Sequence, residues 1–298
     1  MSKNKKSIFW GAATALITPF YKGRIDYGAL KTLIDRQIDQ GIDALVIAGT
    51  TGEAATLLDA EHRELLSRAA EYIDGRVIAI AGTGSNNTAH AIETSKYACK
   101  VGYDALLTVT PYYNKATPEG LIKSFTAIAD SVCRPLILYN VPSRTGCNVP
   151  INVYRELAKH ENIVAVKEAS GNISAIAELI CECGDDLDVY SGNDDQALPV
   201  LSLGGAGVIS VVSNVIPRET VELCRAWRDG DFISCRALHE KYLSLMKAMF
   251  YEVNPIPVKT TLSLMGLCES EMRLPLCEAS PDTLKKLRKN LLEYEILT

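Results

Sequence analysis

Lys167 closes an apolar run, Ile163–Val164–Ala165–Val166–Lys167. In a strand, alternate residues share a face, so Ile163, Ala165 and Lys167 are expected on one side and Val164 and Val166 on the other. A lysine in that place pairs with an acid such as Glu168 or snorkels to solvent. Alternatively, held among apolar groups, it is an amine of lowered pKa that can attack a carbonyl. Tyr139 closes Leu136–Ile137–Leu138 in the same manner, as a packing residue or as a phenol for proton transfer. Thr50 and Thr51 lie in Gly49–Thr50–Thr51–Gly52–Glu53. They either cap a helix or, with the loop's N–H groups, hold a carboxylate. Arg144, in Pro142–Ser143–Arg144–Thr145–Gly146, is a surface turn residue or a carboxylate clamp. Together these residues compose a Schiff-base site: an amine, phenols and a threonine to move protons, and a fork for an acid group.

Such a site needs elements that bring strand ends together. Short apolar runs alternate with longer amphipathic ones along the chain. The strands expected are Gly11–Ile17, Ala44–Ala48, Val77–Ala81, Ala105–Val109, Leu136–Tyr139, Ile163–Lys167, Asp188–Ser191 and Gly207–Val211. Most are apolar on both faces, as in a parallel sheet covered on both sides. Between them, Asp26 is expected to cap a helix carrying Leu30, Leu33, Ile34 and Ile38, and Asp59 one carrying His62, Leu65, Leu66, Ala69 and Ala70. Eight such units predict an α/β fold, a (β/α)8 TIM barrel, which takes about 250 residues and places function at the C-terminal strand ends. We assign 1–216 to the barrel and 217–298 to a helical region that includes the last barrel helix. An open doubly wound sheet is the alternative, but Gly82–Thr83–Gly84 lacks the third glycine of a dinucleotide loop.

Composition narrows the partners. The net charge of -5 offers no basic field, which argues against nucleic acid. Lys3, Lys5 and Lys6 before Ile8–Phe9–Trp10 imitate a secretory signal, but the apolar stretch falls short of the roughly 7–15 residues such a signal needs. We read a buried first strand there. The uncharged stretch from Gln196 to Pro217 is long enough to suggest a membrane span, but its prolines, glycines and serines fit a short helix, a glycine turn and a buried strand better. Nine cysteines with no paired C-x-x-C spacing read as reduced thiols of a cytoplasmic protein. His62, His90, His160 and His239 show no metal-ligand spacing and read as surface or capping residues; no metal is expected.

The strings Gly49–Glu53, Pro111–Tyr112–Tyr113–Asn114–Lys115, Leu138–Gly146, Val166–Lys167–Glu168–Ala169, Ser191–Gly192 and Asn254–Pro255–Ile256–Pro257–Val258–Lys259 follow one another in order. In that order the chain, from about Gly11 to about Lys259, resembles the 4-hydroxy-tetrahydrodipicolinate (dihydrodipicolinate) synthase family of pyruvate-dependent class I aldolases. The resemblance implies a lyase that condenses pyruvate with L-aspartate 4-semialdehyde, the first committed step of diaminopimelate and lysine biosynthesis. Lys167 would form the imine, and Tyr139 and Thr50 would relay protons with Tyr113, the last reaching in from a neighbouring subunit. Thr51 and Ile209 would contact the pyruvate-derived part, Gly192 would lie beside the lysine, and Arg144 would bind the second substrate's carboxylate. No cofactor is implied beyond the covalent imine, and the expected assembly is a homotetramer made of two dimers. The family's lysine-feedback pocket maps to Ala54, Asp59, His62, Asn86, His90 and Tyr112. Ala54, Asp59 and His90 depart from the serine, histidine and glutamate of sensitive relatives, so weak inhibition is expected. The rivals are N-acetylneuraminate lyase, a 2-keto-3-deoxy sugar acid aldolase, and a non-catalytic barrel that binds a metabolite.

Overall fold

The computed structural model describes residues 5–297. The lysine at position 3 lies outside them. Ten strands occur: β1 Gly11–Ala15, β2 Phe20–Tyr21, β3 Arg24–Ile25, β4 Ala44–Ile47, β5 Ile78–Gly82, β6 Ala105–Val109, β7 Leu136–Asn140, β8 Ile163–Glu168, β9 Asp188–Ser191 and β10 Gly207–Ser210. Eight of them close a parallel barrel in the order β1-β10-β9-β8-β7-β6-β5-β4. The TIM barrel expected from the alternating pattern is the observed fold. The uncharged stretch after Gln196 resolves into the helix Ala197–Ser202, the glycine turn and β10.

Two apolar clusters follow from strand alternation. Ala13, Val46, Ile80, Leu107, Ile137, Ala165, Tyr190 and Ile209 fill the barrel interior. Ala12, Leu45, Ala81, Leu106, Leu138, Val166 and Val208 face the surrounding helices. At the N-terminal end of the barrel, Phe9 stacks on Tyr190 with ring centres 4.3 Å apart, and the Tyr190 hydroxyl donates to the Phe9 carbonyl at 2.7 Å. The residues before β1 therefore plug the barrel floor, and β1 itself is buried throughout.

Three local expectations are corrected. Ile163 belongs to the outer cluster and Val164 to the inner one. The register shifts between Leu136 and Ile137, which pair with Ile163 and Ala165, so alternation breaks at this bulge before resuming toward Lys167. Asp59 does not cap its helix: Asp59–Ile73 has Leu58 at the N-cap, and the Glu61 carboxylate accepts from the Leu58 N–H at 3.0 Å. The hairpin β2–β3 was not anticipated. Asp26 does cap Tyr27–Asp39, accepting from Ala29 N.

After β10 the chain is helical, in Pro217–Arg228, Phe232–Ala248, Ile256–Leu264 and Pro281–Glu293. All nine cysteines are free thiols. No helix among the described residues is long and apolar enough to cross a membrane, and no group of three or more His, Cys, Asp or Glu could hold a metal ion.

Candidate active site

Lys167 and Tyr139 are register partners on β8 and β7, near the C-terminal ends of both strands. Both are buried, and the Lys167 Nζ lies 4.5 Å from the centre of the Tyr139 ring. Burial lowers the Lys167 pKa to about 8; Asp194 opposes that shift, and Arg144 adds to it. A substantial neutral fraction near neutrality is what a nucleophilic amine requires. Lys167 does not pair with Glu168. That carboxylate points to the opposite face, where it accepts from Asn140 Nδ2 at 3.0 and 3.1 Å, from the Tyr154 hydroxyl at 3.1 Å and from Ser170 N at 2.7 Å.

The Tyr139 pKa is raised by burial, while a hydrogen bond from Thr50 and the Arg144 charge favour the phenolate. Thr50, Tyr139 and Arg144 line one cavity of about 320 Å³ over the barrel mouth. The Arg144 guanidinium is held by the Asn254 carbonyl at 2.8 Å. Thr51 is buried, and its hydroxyl oxygen accepts from Asn254 Nδ2 at 3.0 Å. Ile209 is fully buried in the barrel interior. At Gly192 a Cβ would sit 2.7 Å from the Ala169 Cβ and 3.2 Å from the Lys167 Cε, so only glycine lets the β9 turn approach the amine this closely.

Tyr113 is not brought to this site. It is 89% exposed, on a left-handed backbone (φ 73°), with its N–H directed at the Thr145 carbonyl. Its neighbour Tyr112 lines the cavity instead, as does Ala54, although both had been set apart in a separate feedback pocket. Of the other four residues of that pocket, Asp59, His62 and His90 lie near one another. His90 Nε2 stands 3.7 Å from Asp59 Oδ1. His62 Nε2 meets the Gly82 carbonyl at 3.1 Å, so it is pinned to the end of β5 rather than at the surface, and burial lowers its pKa. The Asn86 carbonyl accepts from Asn114 Nδ2 at 2.8 Å.

The C-terminal helices contribute more than sequence reasoning gave them. Lys259 and Glu53, the last residues of two quoted strings, form a fully buried ion pair. Lys259 also donates to the Glu271 carbonyl at 3.1 Å, and Glu53 accepts from Arg273 N at 3.2 Å. Arg273 grips Glu61 through both terminal nitrogens, at 2.7 and 2.6 Å. This network clamps the Gly49–Glu53 loop; Ala48 just before it and Glu53 at its end take left-handed conformations (φ 55° and 53°). Pro275 and Leu276 complete the cavity wall. Asp194 was also missed. It is buried, accepts from Val211 N and Val212 N, and its pKa is raised by desolvation. A charge ending the apolar run Ile256–Pro257–Val258 is the signal that could have marked Lys259; Glu53 carried none.

Comparisons with known proteins point the same way. Residues 8–294 match the dihydrodipicolinate synthetase family. The chain is 48% identical over 293 residues to the 4-hydroxy-tetrahydrodipicolinate synthase of Acetivibrio thermocellus, covering 98% of this chain and all of that one. Its fold superposes on the dihydrodipicolinate synthase crystal structure from Aquifex aeolicus with a TM-score of 0.95 at 45% identity, covering 97% of this chain and 99% of that one. It superposes equally well (TM-score 0.95, 40% identity, 97% and 100% covered) on the chloride-inhibited enzyme of Acinetobacter baumannii complexed with pyruvate. By fold and by these relatives, the chain belongs to the dihydrodipicolinate synthetase family and is a lyase.

Proposed function

We propose that this protein condenses pyruvate with L-aspartate 4-semialdehyde through a Schiff base on Lys167. The observation that carries the reading is the buried Lys167 amine, its pKa lowered to about 8, facing a Tyr139 phenol that is hydrogen-bonded to Thr50. The neutral amine attacks the pyruvate carbonyl. Water leaves, and a protonated imine forms. That cation withdraws electrons from the methyl group, which loses a proton and becomes an enamine. The enamine carbon adds to the aldehyde carbon, and the aldehyde oxygen takes up a proton. The substrate's own amine then attacks the imine carbon, closes the ring and releases Lys167. The protonated imine is itself the electron sink, so the chemistry needs no metal or organic cofactor.

Tyr139 and Thr50 carry protons to and from the carbinolamine, a task worth on the order of 10²–10⁴-fold for one positioned group. Thr51 holds the pyruvate carboxylate and Arg144 that of the aldehyde. Tyr113 completes the relay from a neighbouring subunit of a tetramer; it is 89% exposed and follows Tyr112, which lines the cavity. Nine unpaired cysteines suit a cytoplasmic setting.

The test is reduction with borohydride in the presence of pyruvate, followed by intact mass and peptide mapping. One pyruvate-derived adduct on Lys167 is expected, with none in Lys167→Ala. An adduct that persists on another lysine would sink the assignment. Turnover of aspartate semialdehyde, set against cleavage of sialic acid, separates this reading from its aldolase rivals.

A further inference from the structure

Asn254 joins the two carboxylate grips of the site. It stands just before the helix Ile256–Leu264, is 5% exposed and lines the cavity. Its Nδ2 donates to Thr51 Oγ1 at 3.0 Å, while its main-chain oxygen accepts from Arg144 at 2.8 Å. The Thr51 contact is the one hydrogen bond of the Asn254 side chain among the described residues, because Oδ1 is buried without a partner. A hydroxyl has one proton to give and accepts through its lone pairs. With the amide engaging the Thr51 oxygen as acceptor, the Thr51 proton is left for an anion.

We infer that Asn254 is a positioning residue for the reaction. Its amide fixes the Thr51 hydroxyl as a donor toward the carboxylate of the first substrate, and its carbonyl holds the Arg144 fork for the second. The inference rests on the functional reading above. It adds that one residue outside the barrel strands sets the geometry of both anion grips.

The experiment uses the full chain and the variants Asn254→Ala, Asn254→Asp, Thr51→Val and Asn254→Ala/Thr51→Val. The readouts are the pyruvate concentration that half-saturates adduct formation, kcat, and the melting temperature. Asn254→Ala should raise the half-saturating concentration roughly two- to tenfold, the worth of one neutral hydrogen bond, with a smaller change in kcat. In Asn254→Asp the ionised carboxylate only accepts, so it captures the Thr51 proton and sets a negative charge beside an anionic substrate. Its defect should exceed that of the alanine variant and shrink as the pH falls toward the carboxyl pKa, where a protonated Asp donates again. In the Thr51→Val background, Asn254→Ala should add nothing, since the hydroxyl it orients is gone.

Additive losses, a pH-independent Asn254→Asp defect, or a lowered melting temperature with unchanged half-saturation would each overturn the inference. If the alanine variant does not fold, the near-isosteric Asp variant decides by its pH profile. A parent chain that traps no pyruvate adduct overturns the functional reading and this inference with it, whereas normal trapping in the parent isolates the role of Asn254.

Discussion

Lys167 is a buried amine whose charged form is disfavoured, and its reactivity should follow that balance. With a pKa of about 8, the neutral fraction falls about tenfold for each pH unit below it. Single-turnover adduct formation with pyruvate should therefore climb with pH and level off above about 8. Arg144 adds positive charge that further lowers this pKa, so Arg144→Ala should move the midpoint upward. A midpoint that stays put or moves down would show that Arg144 does not act on the amine. Lys167 and Tyr139 stood out as candidates because a polar group at the end of an apolar run is conspicuous, and the structure makes them register partners. Their partners did not stand out: Asn254, Asp194 and the Glu53–Lys259 pair meet across long sequence separations, and nothing local to any one of them announces the other.

At the scale of elements, hydrophobic pattern was enough to place all eight barrel strands to within about two residues at either end. It failed where the backbone departs from regularity. The bulge at Leu136/Ile137 turned Ile163 outward, and the hairpin β2–β3 is too short to show a period, with Lys22 and Gly23 both left-handed at its turn. The loop Gly49–Glu53 and the helix Ile256–Leu264 are joined by a pair with no exposed side-chain surface, held over the Phe20 ring at 4.2 Å from the lysine. Removing one partner of such a pair strands a charge in an apolar setting, typically at a cost of about 3–5 kcal/mol. Glu53→Gln and Lys259→Met should each lower stability to chemical denaturation by roughly that amount, and the double variant Glu53→Gln/Lys259→Met should recover much of it. If the two losses simply add, the residues act independently of one another.

For the whole molecule, the proposed role of Tyr113, exposed in its own chain, requires that the site be completed by a second chain. Tyr113→Phe and Tyr139→Phe chains, each impaired alone, should regain activity when mixed and allowed to exchange, because one shared site then carries both lesions and another carries none. Exchange without recovery would return Tyr113 to its own subunit. If the feedback pocket implied by the family resemblance operates here, its departures predict weak feedback by lysine. His90 sets an imidazole where a carboxylate would meet an ammonium, and losing a charge-assisted bond costs roughly 1.5–3 kcal/mol, about ten- to a hundredfold in affinity. Asp59 is largely exposed, 3.7 Å from His90, so it compensates little. Turnover should survive low-millimolar lysine, and His90→Glu should sensitise it; half-inhibition well below a millimolar would contradict this. Finally, the side chains that fill the barrel interior, with Phe9 stacked on Tyr190 among them, close the barrel below Lys167. On the proposed chemistry, reactants and the water of imine formation would then pass through the cavity lined by Thr50, Tyr139 and Arg144. If the reaction runs as proposed, pyruvate reaches the buried Lys167 before the aldehyde is taken up, so aspartate semialdehyde given alone should show little heat of binding in calorimetry until pyruvate has been added.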